Sequence, residues 1–271
     1  MNLDKLLLWS MALYGFLCLA SCEKDSNEQT QADTRETMYQ VATLQSLMVG
    51  NYDGFVSMNE LKKHGDIGLG TFNKADGEMI VMDGTIYQAL GGGTVKVAKD
   101  SETTPFATVT FFDTDLTATI PSTDSISTLT KRLDEIVSGY GRNFIYVLRM
   151  DVKTKQVTFR SELPQEKPYG PLVKVLPDKQ RTFYGNDLNG TIIAVYFPTF
   201  FTGMNTPGWH FHFISDDKKQ GGHLFQIATD GASTAHLDAT PYFEMYLPED
   251  STFSQCDLSD DRSEDIKNIE Q

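Results

Sequence analysis

Three closely spaced histidines are the residues of this sequence best suited to chemistry: His210, His212 and His223, within PGWHFHFISDDKKQGGHL. Side chains alternate between the two faces of a β-strand, so His210 and His212 should project to the same side. The polar stretch 215–222 ends in Gly-Gly and predicts a turn that brings His223 beside the pair. Three imidazoles with an open fourth position are typical of a catalytic zinc site. The spacing therefore predicts a metal centre.

An isolated His-x-His pair on a strand is more often solvated or packed than bound to metal, and the third histidine is what favours a metal. The other two histidines have no such neighbours. We interpret His64, which precedes Gly65, as a turn residue, and His236 as a surface residue of a strand.

A carboxylate and a guanidinium elsewhere in the chain could complete such a site. Glu78 lies in DGEM at the entrance of a predicted strand, and Arg160 ends a predicted strand in FRSELPQEKPY. A planar guanidinium can hold a substrate carboxylate through two hydrogen bonds. Taken singly, neither residue would indicate a site, because composition favours Glu78 as an ordinary solvated carboxylate in a turn and Arg160 can be a surface charge at the end of a strand.

Strands are the elements that must position these side chains. Asp83-Gly84 predicts a type I′ hairpin between residues 79–82 and 85–90. Apolar spacing predicts helices over 38–49 and over 125–138, the second with Gly139 as C-cap. Further strands are predicted at 106–112, 144–152, 156–160, 190–197, 209–214, 224–229 and 235–237, with 144–152 and 156–160 paired to each other.

This element order indicates an α+β fold with two sheets and few helices. Pro168, Pro171 and Pro177 interrupt regular structure and favour a boundary near 169–179. We therefore expect an N-terminal sheet domain over 37–170 and a C-terminal sheet domain over 171–271, the latter carrying the three histidines.

The first residues of the chain predict export. Residues 6–20 form an apolar run too short to span a bilayer, and residues 1–21 fit a cleavable signal peptide. The ending Leu-Ala-Ser-Cys resembles a bacterial lipobox, which would make Cys22 the lipidated N-terminus. The alternative is an ordinary signal peptide with an incidental cysteine. Residues 22–36 are polar and should form a flexible tether, so membrane contact is expected through the lipid anchor only.

Composition excludes other classes of protein. Asp and Glu number 37 against 23 Lys and Arg, giving a net charge of −14, which argues against a nucleic-acid partner. Of three cysteines, Cys18 leaves with the signal and Cys22 would be acylated. Cys256 then remains alone, so no disulfide forms within the mature chain.

Several segments together resemble the bacterial acetolactate decarboxylases. LQSLMVGNYDG, LKKHGDIGLGTF, DGEMIVMDGTIYQ and TTPFATVTFF are similar to the N-terminal half of that family, and FRSELPQEKPYGPL and GMNTPGWHFHFISDDKKQGGHL to its C-terminal half. The similarity runs in order from about Met38 to the C-terminus.

The resemblance implies a mixed sheet in each half, with the metal site between the halves. It implies zinc held by His210, His212 and His223, and active-site roles for Glu78, Arg160, Thr71 and a tail glutamate, Glu270 or else Glu264. In one departure from the family pattern, Ala75 replaces a leucine that lines the pocket, which should leave a roomier wall.

The expected function is zinc-dependent decarboxylation of 2-acetolactate, a 2-hydroxy-3-keto acid, to acetoin and CO₂ through a metal-stabilised enediolate that is protonated on one face. The main alternative is a non-catalytic metal- or ligand-binding lipoprotein on the same scaffold. A cupin-like metal oxygenase would also use His-x-His on a strand, but it usually has a metal-binding Glu a few residues after the pair. Here the acids nearest the pair are only Asp216 and Asp217, so this alternative is less favoured. The oligomeric state stays open, with a homodimer as one candidate.

Overall fold

The computed structural model describes residues 35–270, and for Glu270 it describes the backbone alone. The chain folds into two large sheets with short helices around them. The predicted signal peptide, Cys22 and residues 22–34 of the predicted tether lie outside the described residues. Within the described part, no helix is both long enough and apolar enough to cross a bilayer.

The strands in chain order are β1 (Thr37–Val41), β2 (Val56–Ser57), β3 (Ile67–Thr71), β4 (Glu78–Met82), β5 (Thr85–Ala89), β6 (Val95–Val97), β7 (Thr103–Thr104), β8 (Ala107–Thr110), β9 (Leu116–Ile120), β10 (Ile145–Val152), β11 (Thr154–Glu162), β12 (Gln180–Asn186), β13 (Gly190–Phe197), β14 (Gly208–Ser215), β15 (Gly221–Thr229), β16 (Ser233–Thr240) and β17 (Tyr242–Tyr246). The α-helices of the described residues are α1 (Leu44–Met48), α2 (Met58–Leu61), α3 (Ile126–Tyr140), α4 (Leu172–Lys179), α5 (Ser251–Gln255) and α6 (Ser263–Glu270).

The first sheet has seven strands in the order β17-β1-β8-β3-β4-β5-β6 and is mixed, because β17 runs parallel to β1. The second has eight antiparallel strands in the order β12-β11-β15-β14-β13-β10-β16-β9. Strands β2 and β7 form a small separate pair. The predicted α+β class, mostly sheet with few helices, is confirmed.

The two sheets pack face to face through an apolar layer to which both contribute. Ile67, Leu69 and Ile80 of the first sheet meet Val147 and Ile193 of the second in this layer. Helix α3 covers the outer face of the second sheet, where its buried side chains Leu129, Leu133 and Val137 join the largest core cluster. The inner faces of the sheets therefore confront each other, and any polar side chain on them is withdrawn from solvent.

Local sequence signals explain the best-predicted elements. Asp83 and Gly84 both have positive φ, 52° and 72°, which is the geometry of the predicted type I′ hairpin between β4 and β5. Helix α3 begins after Ser125, whose side chain accepts a hydrogen bond from the Thr128 N–H. The helix runs to Tyr140, so its C-cap is Gly141 rather than Gly139.

Two predictions about elements are wrong. Residues 38–41 belong to strand β1, and helix begins only at Leu44. Residues 38–41 are buried on both faces of the strand. They therefore lack the alternation of apolar and polar residues by which a strand buried on one face is predicted. Strands β10 and β11 are not partners: only residue 153 separates them, which is too short for a hairpin, and β10 pairs with β13 and β16.

The change of sheet does not coincide with the boundary expected near residue 170. The chain passes from the first sheet to the second between Thr110 and Leu116, and it returns to the first sheet at Tyr242. Strands β9, β10 and β11, which lie within 37–170, are thus part of the second sheet, and β17 completes the first.

Candidate active site

A straight row across three neighbouring strands brings the predicted site residues together. His212 of β14 is the register partner of His223 on β15, and His223 is in turn the partner of Arg160 on β11. His210 lies two residues before His212 and shares its face. The surrounding aromatic residues Trp209, Phe211 and Phe213 pack into the core on the opposite face, as the alternation predicts.

The three histidine rings converge on one point. His210 Nε2 lies 3.0 Å from His223 Nδ1 and 3.2 Å from His212 Nε2. Nitrogens that share a tetrahedral zinc ion at ordinary Zn–N distances are about 3.3 Å apart. The spacing of these atoms thus fits a metal ion between them.

The tautomer of His212 also fits a metal ligand. Its Nδ1 lies 2.8 Å from the Met79 backbone oxygen, which can only accept a hydrogen bond, so Nδ1 carries the hydrogen. A neutral ring then presents the lone pair of Nε2 toward the other two histidines. A backbone carbonyl that fixes the far nitrogen in this way is a common support for metal-bound histidine.

Burial keeps the rings of His210 and His212 uncharged. All three histidines are buried. Burial and the nearby Arg160 guanidinium lower the pKa of His210 to about 3. Burial, His210 and Arg160 together lower the pKa of His212 well below its usual value. At neutral pH both rings are therefore neutral, which is the form that binds metal.

The first sheet contributes Glu78 and Thr71, which are register partners on β4 and β3. Glu78 is buried, and its Oε2 lies 3.4 Å from His212 Nε2. Thr71 also lines the pocket, but its hydroxyl donates to the Gly77 backbone oxygen at 2.8 Å. That contact holds the turn before β4 and so supports the position of Glu78.

The second sheet places Arg160 on the other side of the pocket. Its Nε lies 3.8 Å from Glu78 Oε1 and 3.4 Å from Glu162 Oε1, and its Nη1 donates to Gln180 Oε1 at 3.0 Å. The guanidinium carbon lies 5.1 Å from the centre of the Phe225 ring. Glu162 and Gln180 were not among the predicted site residues. Glu162 could have been found from its position two residues after Arg160 on the same strand, which gives both side chains one face.

Apolar side chains close the rest of the pocket. They come from Leu44, Leu47, Ala75, Phe106, Leu172 and Leu176. Helix α6 packs against this wall, because Ile266 and Ile269 are buried in the same apolar cluster. Glu264 is exposed at the start of α6 and does not line the pocket. The side chain of Glu270 lies outside the described residues, so its expected role stays a prediction.

Gly222 allows β15 to approach β11 closely enough to align His223 with Arg160. Its φ is 151°, and a Cβ at this position would clash with the Arg160 backbone oxygen. We expect Gly222→Ala to lower the free energy of unfolding by about 2–4 kcal/mol and to weaken the affinity of the histidine cluster for a divalent metal, because β15 must shift. Gly92→Ala is a matched control, since a Cβ there meets nothing within 4 Å. Urea denaturation and titration with a divalent metal measure both effects, and equal stability of the two variants would contradict this expectation.

Known proteins are similar to this chain in sequence and in fold. A sequence model described as alpha-acetolactate decarboxylase matches residues 38–260. This chain belongs to the alpha-acetolactate decarboxylase family. The alpha-acetolactate decarboxylase of Methanosarcina mazei is 35% identical over 235 residues, which are 87% of this chain and 80% of the relative.

Within the family, the alpha-acetolactate decarboxylase of Bacillus licheniformis is 33% identical over 241 residues, covering 89% of this chain and 94% of the relative. The crystal structure of the alpha-acetolactate decarboxylase from Bacillus subtilis strain 168 matches with a TM-score of 0.82 and 33% identity, over 86% of this chain and 99% of that one. The family's fold is therefore the fold of this chain.

Proposed function

We propose that this protein decarboxylates 2-acetolactate to acetoin and CO₂, using a zinc ion held by His210, His212 and His223. One observation carries the proposal: a buried histidine cluster that fits a metal ion faces Glu78 and Arg160 across a pocket lined by apolar side chains. The family relationship supports the reaction, and the donor set supports the metal.

The substrate explains why no organic cofactor is needed. When CO₂ leaves acetolactate, two electrons remain on the carbon that carries the hydroxyl, and the adjacent ketone can accept them. Zinc, when bound, would supply a Lewis acid that stabilises the negative charge developing on the ketone oxygen. Neutral histidine ligands would leave the positive charge of the zinc ion undiminished.

The protein's own side chains then have separate tasks. Arg160 can hold the substrate carboxylate through its planar guanidinium and orient it for departure. Glu78, buried beside the histidines, can deliver a proton to one face of the enediolate that remains, which gives acetoin of one configuration. The leucines and Phe106 cover the substrate's methyl groups and exclude water.

The deciding experiment is an acetoin assay on the purified protein with 2-acetolactate. We expect CO₂ and acetoin in equal amounts, loss of activity after dialysis against a chelator, and recovery with about one zinc ion per chain. Undiminished activity of metal-free protein would rule out the zinc mechanism. Zinc binding without any turnover would instead favour the non-catalytic metal-binding alternative.

A further inference from the structure

Arg160 is held in the pocket by a set of contacts that fixes its plane. The Gln180 amide oxygen accepts from Nη1, Glu162 lies beside Nε, and Phe225 lies near the guanidinium carbon. Three such contacts at different points of a planar group determine its orientation. A fixed orientation matters for Arg160, because a carboxylate binds a guanidinium best in the guanidinium plane.

Glu162 is placed for this task by the strand pairing. It is two residues from Arg160 on β11 and is the register partner of Gln180 on β12, so all three side chains share a face. Ser161, between them, donates its hydroxyl to the Ala89 backbone oxygen of the first sheet at 2.6 Å. That buried bond ties the end of β11 to β5 and limits movement of Glu162.

Glu162 is too deeply buried to be an ordinary surface charge. It is 5% exposed, lines the pocket with Arg160, Glu78 and His210, and faces a buried guanidinium. A buried carboxylate costs several kcal/mol unless it is paired and hydrogen-bonded. Glu162 also adds a second carboxylate to a pocket that would bind an anionic substrate, and this charge alone would repel that substrate. We therefore expect its contact with Arg160 to favour substrate binding by more than the repulsion costs.

We propose that Glu162 is a positioning residue, which orients the Arg160 guanidinium so that it binds the carboxylate of a 2-hydroxy-3-keto acid. This inference rests on the proposed function. It makes a prediction of opposite sign to simple electrostatics. Removing a negative charge near an anion should strengthen binding, whereas removing a support of Arg160 should weaken it.

The test is Glu162→Gln, which keeps the size of the side chain and removes its charge. Acetolactate kinetics give KM and kcat, and calorimetry gives the affinity for 2,3-dihydroxy-2-methylbutanoate, in which the ketone is reduced so that decarboxylation cannot occur. We expect KM and the analogue's Kd to rise about tenfold, with kcat changed much less. Zinc content and melting temperature report whether the fold and the metal site are intact. Glu166→Gln, at an exposed position on the loop after β11, is the control and should leave all values unchanged.

The same substitution in an Arg160→Gln background separates positioning from other roles. If Glu162 acts through Arg160, E162Q no longer weakens analogue binding there and even strengthens it, because only charge repulsion remains. A Kd that is unchanged or lower for E162Q in the otherwise native chain would overturn the inference, as would the same loss of affinity in both backgrounds. Failure of the proposed function gives a different result, because the unmodified zinc-loaded protein would then not decarboxylate acetolactate at all.

Discussion

Replacing His212 with Ala is expected to abolish zinc binding and to reduce acetolactate decarboxylation by at least about a thousandfold. His212 is fully buried, and its Nε2 faces the nitrogen of His210 while Nδ1 is held by the Met79 carbonyl. Its neighbours Phe211 and Phe213 project to the opposite face of β14 and carry no ligand atom, so neither can take its place. The metal would lose the ligand at the β14 end of the cross-strand row.

The same experiment can distinguish loss of metal from loss of fold. Zinc raises the melting temperature of a protein that binds it in the folded state only, so the native chain should be stabilised by zinc and H212A should not. With chelator present, H212A should still unfold cooperatively. His236→Ala is the matched control, since His236 lies on β16 away from the pocket and should change neither activity nor zinc content. Normal zinc stoichiometry in H212A would refute the assigned ligand set.

Replacing Glu78 with Gln is expected to lower kcat by about 10²–10⁴-fold while zinc content stays the same. Gln has the size of Glu but cannot give up a proton as a carboxylic acid does. Glu78 is buried at the start of β4 and lies against both His212 and Arg160, so it adjoins both the histidine cluster and the guanidinium that would hold the substrate. KM should change less than kcat if its main role is proton transfer.

The product's configuration gives a second measurement on E78Q. If Glu78 delivers the proton from one side, its loss leaves protonation to water, and chiral chromatography should show acetoin of reduced enantiomeric purity. The surface variant E166Q again serves as control. A variant that keeps full kcat, or that loses its zinc, would show that Glu78 is not the proton donor proposed here.

The residues that carry the chemistry could be predicted because their signals are local. His210 and His212 follow from the two-residue period of a strand, and the turn before His223 from its polar residues and two glycines. The register of β14 with β15 has no such local signal, and a shift of one residue would turn His223 to the other face. The resemblance to the family added Thr71 and gave active-site roles to Glu78 and Arg160, which no local pattern separates from ordinary residues of these types.

What could not be predicted depends on partners distant in the chain. Residues 38–41 have an apolar spacing compatible with a helix, and only the neighbours β8 and β17 make them a strand buried on both faces. Glu162 and Gln180 meet Arg160 because β11 and β12 are paired in one particular register. The division of the sheets is also non-local, since β17 follows the second sheet directly but joins the first.

The parallel pairing of β1 with β17 has a consequence for how the chain matures. The two strands lie at opposite ends of the described sequence, so during synthesis β1 has a neighbour on one side only until residues 242–246 emerge. An unpaired strand edge is prone to wrong association, and contacts between distant segments form late. The apolar residues of α6 that pack against the pocket wall are made later still. A chain still attached to the ribosome therefore lacks both a completed first sheet and the helix that packs against the pocket wall.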